Sequence, residues 1–167
     1  MLFRSSFLAD GRIACVFTRA AMDSLELLDP SRGELERIDL PYTSYQSPSL
    51  RSHGNRLVFA AASPTEPASV LTLDVVSGKH EVLRRSTALE LDERYISIGE
   101  PVDFEGADGL TSHAFYYPPR NPDFEAPEGE LPPALVMVHG GPTAHEANSL
   151  ELQVQLFTSR EIGRAHV

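Results

Sequence analysis

Cysteine is nearly absent from this sequence: Cys15 is the single one in 167 residues. One thiol cannot close an internal disulfide or supply a cysteine-rich metal site. It lies in the apolar run "RIACVF", where a buried strand residue is a better reading than a catalytic thiol. Basic residues are also scarce, with 14 Lys and Arg against 24 Asp and Glu, a net charge of −10. Phosphate contacts need clustered Lys and Arg, so this balance argues against nucleic-acid partners and anionic membrane surfaces. The acidic residues are dispersed and read as a solubilising surface. No apolar run approaches the ~18 residues that cross a bilayer. The N-terminal "MLFRSSFLADGR" turns polar too soon for a secretory signal. What remains is a soluble globular composition, 41% hydrophobic and 23% charged, expected in the cytoplasm.

The first hundred residues repeat. "GRIACVFT", from Gly11, aligns with "NRLVFAAA", from Asn55, and "SLELLDPSRGELERI" aligns with "SVLTLDVVSGKHEVL". Arg12 then matches Arg56, Asp29 matches Asp74, and Gly33 matches Gly78. Each unit holds a strand, a loop, a second strand, an Asp-x-x-x-Gly turn and a third strand. Asp can accept hydrogen bonds from the backbone just beyond it, and Gly supplies the positive φ that ends a tight hairpin. Alternating strands repeating every ~40–50 residues are the pattern of β-propeller blades. Two blades cannot close a ring of ~4–8, and the alternative is an antiparallel sandwich.

The texture changes near residue 98. "EPVDFEGADGLTSHAFYYPP" predicts strands over Pro101–Glu105 and Leu110–Tyr117, joined by the turn Gly106-Ala107-Asp108-Gly109. The next sixteen residues, "PPRNPDFEAPEGELPP", carry six prolines and predict an exposed loop. Leu135–Val138 reads as a strand covered on both faces. In "HEANSLELQVQLFTSR", Leu150, Leu152, Val154 and Phe157 suggest a helix with one apolar face, while Gln153 and Gln155 keep a strand open.

The candidate site is "VMVHGGPT". A strand, a Gly-rich turn and a helix would aim backbone N–H groups at one point, suited to a phosphate or an oxyanion. No G-x-x-x-x-G-K-[ST] and no G-x-G-x-x-G occurs, which disfavours the phosphate. The remaining histidines suggest no chemistry. His53 and His80 fall at turn or surface positions, and His113 falls in a strand. His145-Glu146 begins an H-E-x-x-H pattern, but Ser149 stands where the second zinc ligand belongs. No metal site and no cofactor are expected.

The repeats, "DGLTSHAFYYPP", the Pro-rich loop and "LVMVHGGPT" together resemble the prolyl oligopeptidase family of serine peptidases. The likeness is to its dipeptidyl-aminopeptidase and acylaminoacyl-peptidase branch, weak over the repeats and strong from about Glu100 to Arg160. It implies that residues 1–97 are the last two or so blades of a propeller. It implies that residues 98–160 are the N-terminal part of an α/β-hydrolase domain. Its function would be hydrolysis of short peptides by a Ser-Asp-His triad. By the same resemblance the backbone N–H of Gly141 is an oxyanion donor, Gly140 makes room, Pro142 fixes the turn, and His139 orients the loop. An esterase-like α/β-hydrolase and a non-catalytic propeller interaction module are the alternative readings. Peptide preference and oligomeric state are not legible.

The family's nucleophile lies on a G-x-S-x-G elbow, and none occurs here. The triad residues are therefore expected outside this chain, which alone should be inactive. The resemblance also implies a continuation "SRG" plus an apolar strand where this chain reads "SREIGRAHV". Glu161 to Val167 is the translation of GAG-ATC-GGA-AGA-GCA-CAC-GTC. From its second base onward that string is the start of a widely used short-read sequencing adapter. Residues 161–167 are thus expected to be adapter read-through, the first G being the remnant of a glycine codon. Open sheet edges and an uncovered central strand lead us to expect a poorly soluble or partly molten chain.

Overall fold

The computed structural model describes residues 4–46, 49–107, 109–124, 127–141 and 145–166. The chain divides into two compact units, Met1–Ala88 and Leu89–Val167.

The first unit is built from two antiparallel sheets. One has the order β1 (Arg4–Phe7), β2 (Ile13–Arg19), β3 (Met22–Asp29), β4 (Glu34–Arg37). The other comprises β5 (Ser44–Tyr45), β6 (Arg51–His53), β7 (Arg56–Ala62), β8 (Ser69–Asp74) and β9 (His80–Arg85). Its order is β5-β7-β8-β9, with β6 also pairing β7. Alternation decides which side chains are buried. Leu57, Phe59 and Ala61 on β7, and Leu71 and Leu73 on β8, join Ala14, Leu25 and Leu27 in one core. Each such leucine or phenylalanine contributes roughly 1.5–3 kcal/mol by leaving water. Cys15 lies on the other face of β2 from Ala14 and Val16 and is only half-buried, so the expectation of a buried thiol is corrected in degree. Its pKa is pushed up, chiefly by desolvation, which makes it a poor nucleophile.

The repeat seen in the sequence is a repeat of geometry. Gly33 N–H donates to Asp29 O at 2.8 Å, and Gly78 N–H donates to Asp74 O at 2.9 Å. The side chain of Asp29 accepts from Ser31 N–H at 2.9 Å, and that of Asp74 accepts from Ser77 N–H at 2.9 Å. Gly33 and Gly78 are left-handed, with φ of 68° and 69°. A buried carboxylate joins the two sheets: Asp23 accepts from Tyr45 N–H at 2.8 Å and from the Thr18 hydroxyl at 2.5 Å.

The second unit opens with a 3₁₀ turn, Glu93–Tyr95, capped by the Asp92 side chain. Then come β10 (Glu100–Glu105), β11 (Thr111–Tyr117), β12 (Ala134–Met137), α1 (Leu152–Thr158) and β13 (Gly163–His166). The sheet order is β10-β11-β13-β12, with β12 and β13 parallel and the other pairs antiparallel. The hairpin turn between β10 and β11 is closed by Gly106 N–H on Leu110 O at 2.8 Å. Asp108 of that turn lies outside the described residues. The division at Ala88 precedes the expected boundary at 97/98, because Ser97 is tied to the helix through Gln155.

Two expectations need correction here. The strand at Leu135–Val138 is not covered on both faces: β12 is an edge strand of alternating exposure, and Val136 is 60% exposed. Parallel strands need helices on both faces, and α1 is the single α-helix among the described residues. The helix also buries a different stripe from the one the leucines suggested. Val154, Gln155 and Thr158 face inward, and Leu152 is 47% exposed. Polar groups win this face because Gln155 and Thr158 each satisfy buried backbone groups. The Pro-rich segment holds no helix or strand among its described residues. It is tied down where Arg120 N–H reaches Thr158 O and Asn121 Nδ2 reaches Ser159 O, both at 2.9 Å.

Candidate functional site

The turn His139-Gly140-Gly141 leaves the C-terminal end of β12, the edge strand beside β13. Crevices at the C-terminal ends of parallel strands are where open α/β sheets bind ligands. Gly141 has φ +83°, a left-handed conformation that a residue with a Cβ adopts only under strain. A Cβ there would meet nothing within 4 Å, so the requirement for glycine is one of backbone rather than space. Gly140 has no positive φ and equally open surroundings, so nothing within this chain requires glycine there. His139 is half-buried, and its Nδ1 is buried without a partner among the described residues. Pro142, expected to fix the turn, lies outside the described residues with Thr143 and Ala144.

The helix does not follow the glycines directly. It begins at Leu152 and has seven residues, and its N-cap Glu151 makes no side-chain capping bond. A helix that short and that far along the chain does not lend the turn its dipole. The local resource is a group of side chains whose electrostatics are coupled. Burial pushes the Glu146 carboxyl pKa up, Glu151 adds to the rise, and Arg164 and His139 oppose it. Burial likewise pushes the Tyr117 phenol up to about 12, with Glu151 and Glu146 reinforcing and Arg164 opposing. In the sequence Glu146 stands out solely as part of the incomplete H-E-x-x-H pattern. Its coupling to His139 crosses a loop, and no spacing rule would have revealed it. Among the described residues no three His, Cys, Asp or Glu side chains are placed to hold a metal ion.

His53 and His80 are exposed in strands β6 and β9. His113 on β11 is exposed opposite Asp103, with 2.7 Å between Nδ1 and Oδ1. In the first unit a recess of about 360 Å³ is lined by Arg56, Thr72, Asp74, Ser77, Lys79 and His80. Its charges are mixed, and it follows the outer turn of the second repeat.

No protein-family profile matches the sequence, and no curated protein matches it. Solved structures do. A puromycin-hydrolysing peptidase of Mycobacterium tuberculosis is 37% identical over 98% of this chain, with a TM-score of 0.91. A puromycin hydrolase is 40% identical over 96% of this chain, with a TM-score of 0.86. A prolyl endopeptidase matches 97% of this chain at 15% identity and a TM-score of 0.75, a likeness of fold alone. The chain spans about a quarter of the length of these proteins, 25%, 24% and 23% respectively. The open sheets of the first unit match the propeller region of such peptidases.

Proposed function

The chain belongs to the prolyl oligopeptidase family, and from that premise we propose that the intact protein is a serine peptidase acting on short peptides. The observation that carries this reading is agreement in both sequence and shape with a puromycin-hydrolysing peptidase over 98% of the chain. On this reading the two antiparallel sheets are propeller blades, residues 98–160 begin an α/β-hydrolase domain, and the protein is cytoplasmic.

The His139–Gly141 turn is the oxyanion side of the site. The left-handed backbone at Gly141 supports this, because it turns the chain abruptly beyond the end of β12. The Gly141 N–H donates to the carbonyl oxygen as it becomes an oxyanion, and His139 holds the turn in position. The nucleophile, its histidine base and the aspartate that orients the base are supplied by the intact protein. No G-x-S-x-G occurs in the 167 residues, so the chain alone is inactive. Neither metal nor cofactor takes part.

Expression of the complete reading frame tests the proposal. The full protein should release p-nitroaniline from aminoacyl-nitroanilides, cleave puromycin, and lose both activities to a fluorophosphonate. The 167-residue chain should do neither and take up no fluorophosphonate. A full protein inert toward aminoacyl amides and peptides, or turnover by the short chain alone, would refute it.

A further inference from the structure

The end of α1 closes as a Schellman turn. Ile162 N–H donates to Phe157 O at 3.2 Å, the six-to-one bond of that motif. The residue before it, Glu161, occupies the position that must be left-handed, and its φ is +63°. That position is commonly glycine, because a Cβ crowds the following carbonyl there. Three residues on, Arg164 stands in the middle of β13 at 1% exposure. Its cross-strand partners are Tyr117 on β11 and Leu135 on β12. Nε and Nη1 of its guanidinium are buried with no hydrogen-bond partner among the described residues. A guanidinium is a permanent charge with five donors, so burying two of them unmet is costly. Glu146 lies close enough to feel Arg164 but supplies no hydrogen bond to those two nitrogens. Between the two positions, Gly163 weakens a central strand, and a Cβ there would first meet Tyr116 Oη at 3.4 Å, an ordinary contact.

We propose that residues 161–166 are foreign to the strand slot they fill: the backbone specifies glycine at 161 and an apolar side chain at 164. Two independent kinds of observation agree, a backbone angle at one position and two buried guanidinium donors left unpaired among the described residues at the other. Both fall inside residues 161–167, the segment expected to be adapter read-through. The mismatch bears on the candidate site because β13 is the strand against which β12 is registered, Leu135 opposite Arg164 and Met137 opposite His166. A poorly seated β13 loosens the strand from which His139–Gly141 emerges. The inference does not depend on the peptidase reading.

The test uses the full 167-residue chain and four variants: Glu161→Gly, Glu161→Ala, Arg164→Met and the double Glu161→Gly/Arg164→Met. Methionine roughly preserves the volume of the buried arginine, so no large cavity complicates the comparison. Glu161→Gly and Arg164→Met should each raise the thermal midpoint of the second unit by about 4 °C or more. Glu161→Ala should not, because alanine removes the charge and keeps the Cβ. Amide exchange in β13 gives a second readout if melting is broad, and protection there should rise in the double variant. Equal gains from Ala and Gly at 161, or a lower midpoint and lost protection with Arg164→Met, would overturn the proposal. Sequencing the genomic locus gives an independent arm. A glycine codon at 161 with an apolar codon at 164 supports it, and a genomic frame reading Glu-Ile-Gly-Arg-Ala-His-Val defeats it.

Discussion

Gln155 holds the backbone of Ser97 with both ends of its amide. Its Oε1 accepts from Ser97 N–H at 2.8 Å, and its Nε2 donates to Ser97 O at 3.0 Å. All of these groups are buried, in the second unit, and they join α1 to the segment that leads into β10. Replacing Gln155 with Leu leaves the Ser97 N–H and C=O without partners, at about 1–3 kcal/mol for each unsatisfied group. Gln155→Glu can make both hydrogen bonds only while its carboxyl is protonated, so it should cost least at acid pH and lose stability as pH rises and the buried carboxylate faces the Ser97 carbonyl. Urea midpoints of the three proteins check the order. Equal stability of wild type and Gln155→Leu would show that water replaces the amide.

The duplicated turns make a paired prediction. Gly33 and Gly78 share a left-handed φ near 68°, and in each case a Cβ would meet nothing within 4 Å. Alanine at either position therefore pays the backbone penalty alone, about 1–2 kcal/mol. Because each Asp accepts from the backbone N–H groups two and three residues on, Ser31 and Arg32 in one turn and Val76 and Ser77 in the other, the two losses should agree within error. Unequal losses, checked by denaturant titration of Gly33→Ala and Gly78→Ala, would mean that the repeats differ energetically despite their shared geometry.

How much of this was legible in the sequence depended on whether the signal was local. The Asp-x-x-x-Gly turns were read correctly because their chemistry lies within five residues. Between β2 and β3 the sequence shows a loop but not the tight two-residue turn that joins them, since Ala20 and Ala21 carry no turn signal. Yet both are left-handed, at φ 50° and 58°, with Arg19 paired to Met22. That is a type I′ turn, which favours Asn-Gly. The inward face of α1 was missed for a related reason. Gln155 is buried for the sake of Ser97, a partner beyond any helical period. Changing Ala20-Ala21 to Asn-Gly should stabilise the first unit by about 1–2 kcal/mol. A thermal melt monitored at Tyr45 reads this, and no gain would mean that the strands already absorb the strain.

Tyr117 predicts an alkaline limit for the second unit. Its ring is 2% exposed and its phenol is pushed up to about 12, first by burial and then by Glu151 and Glu146. An ordinary tyrosine ionises near pH 10. The folded state therefore favours the neutral phenol, and this contribution is complete below about pH 10. It is lost as pH rises from there towards 12, because the unfolded chain ionises first. Tyr117→Phe has no proton to lose, so its stability should fall less steeply over that window. Difference absorbance near 295 nm, which reports tyrosinate, should show one late titration missing in the variant. The ring also closes off Gly99, where a Cβ would sit 2.8 Å from Tyr117 Cζ, so Gly99→Ala should disturb the same titration.

The two glycines of the candidate turn should fail in different ways in the intact protein. Gly141 is left-handed and surrounded by open space, so Gly141→Ala changes the backbone angle without a clash. If its N–H is aimed at the developing oxyanion, tilting it should lower kcat by about 10²–10³ and leave KM within a few-fold. Gly140 has neither a positive φ nor a crowded Cβ, so Gly140→Ala should leave the fold untouched. If glycine is needed there, the reason lies on the substrate's side. A methyl group pointing into the crevice then raises KM and spares kcat with the smallest substrates. Steady-state kinetics on aminoacyl-nitroanilides of increasing size separate the two signatures. A Gly141→Ala enzyme with unchanged kcat would remove Gly141 from the oxyanion role, whatever became of the family assignment.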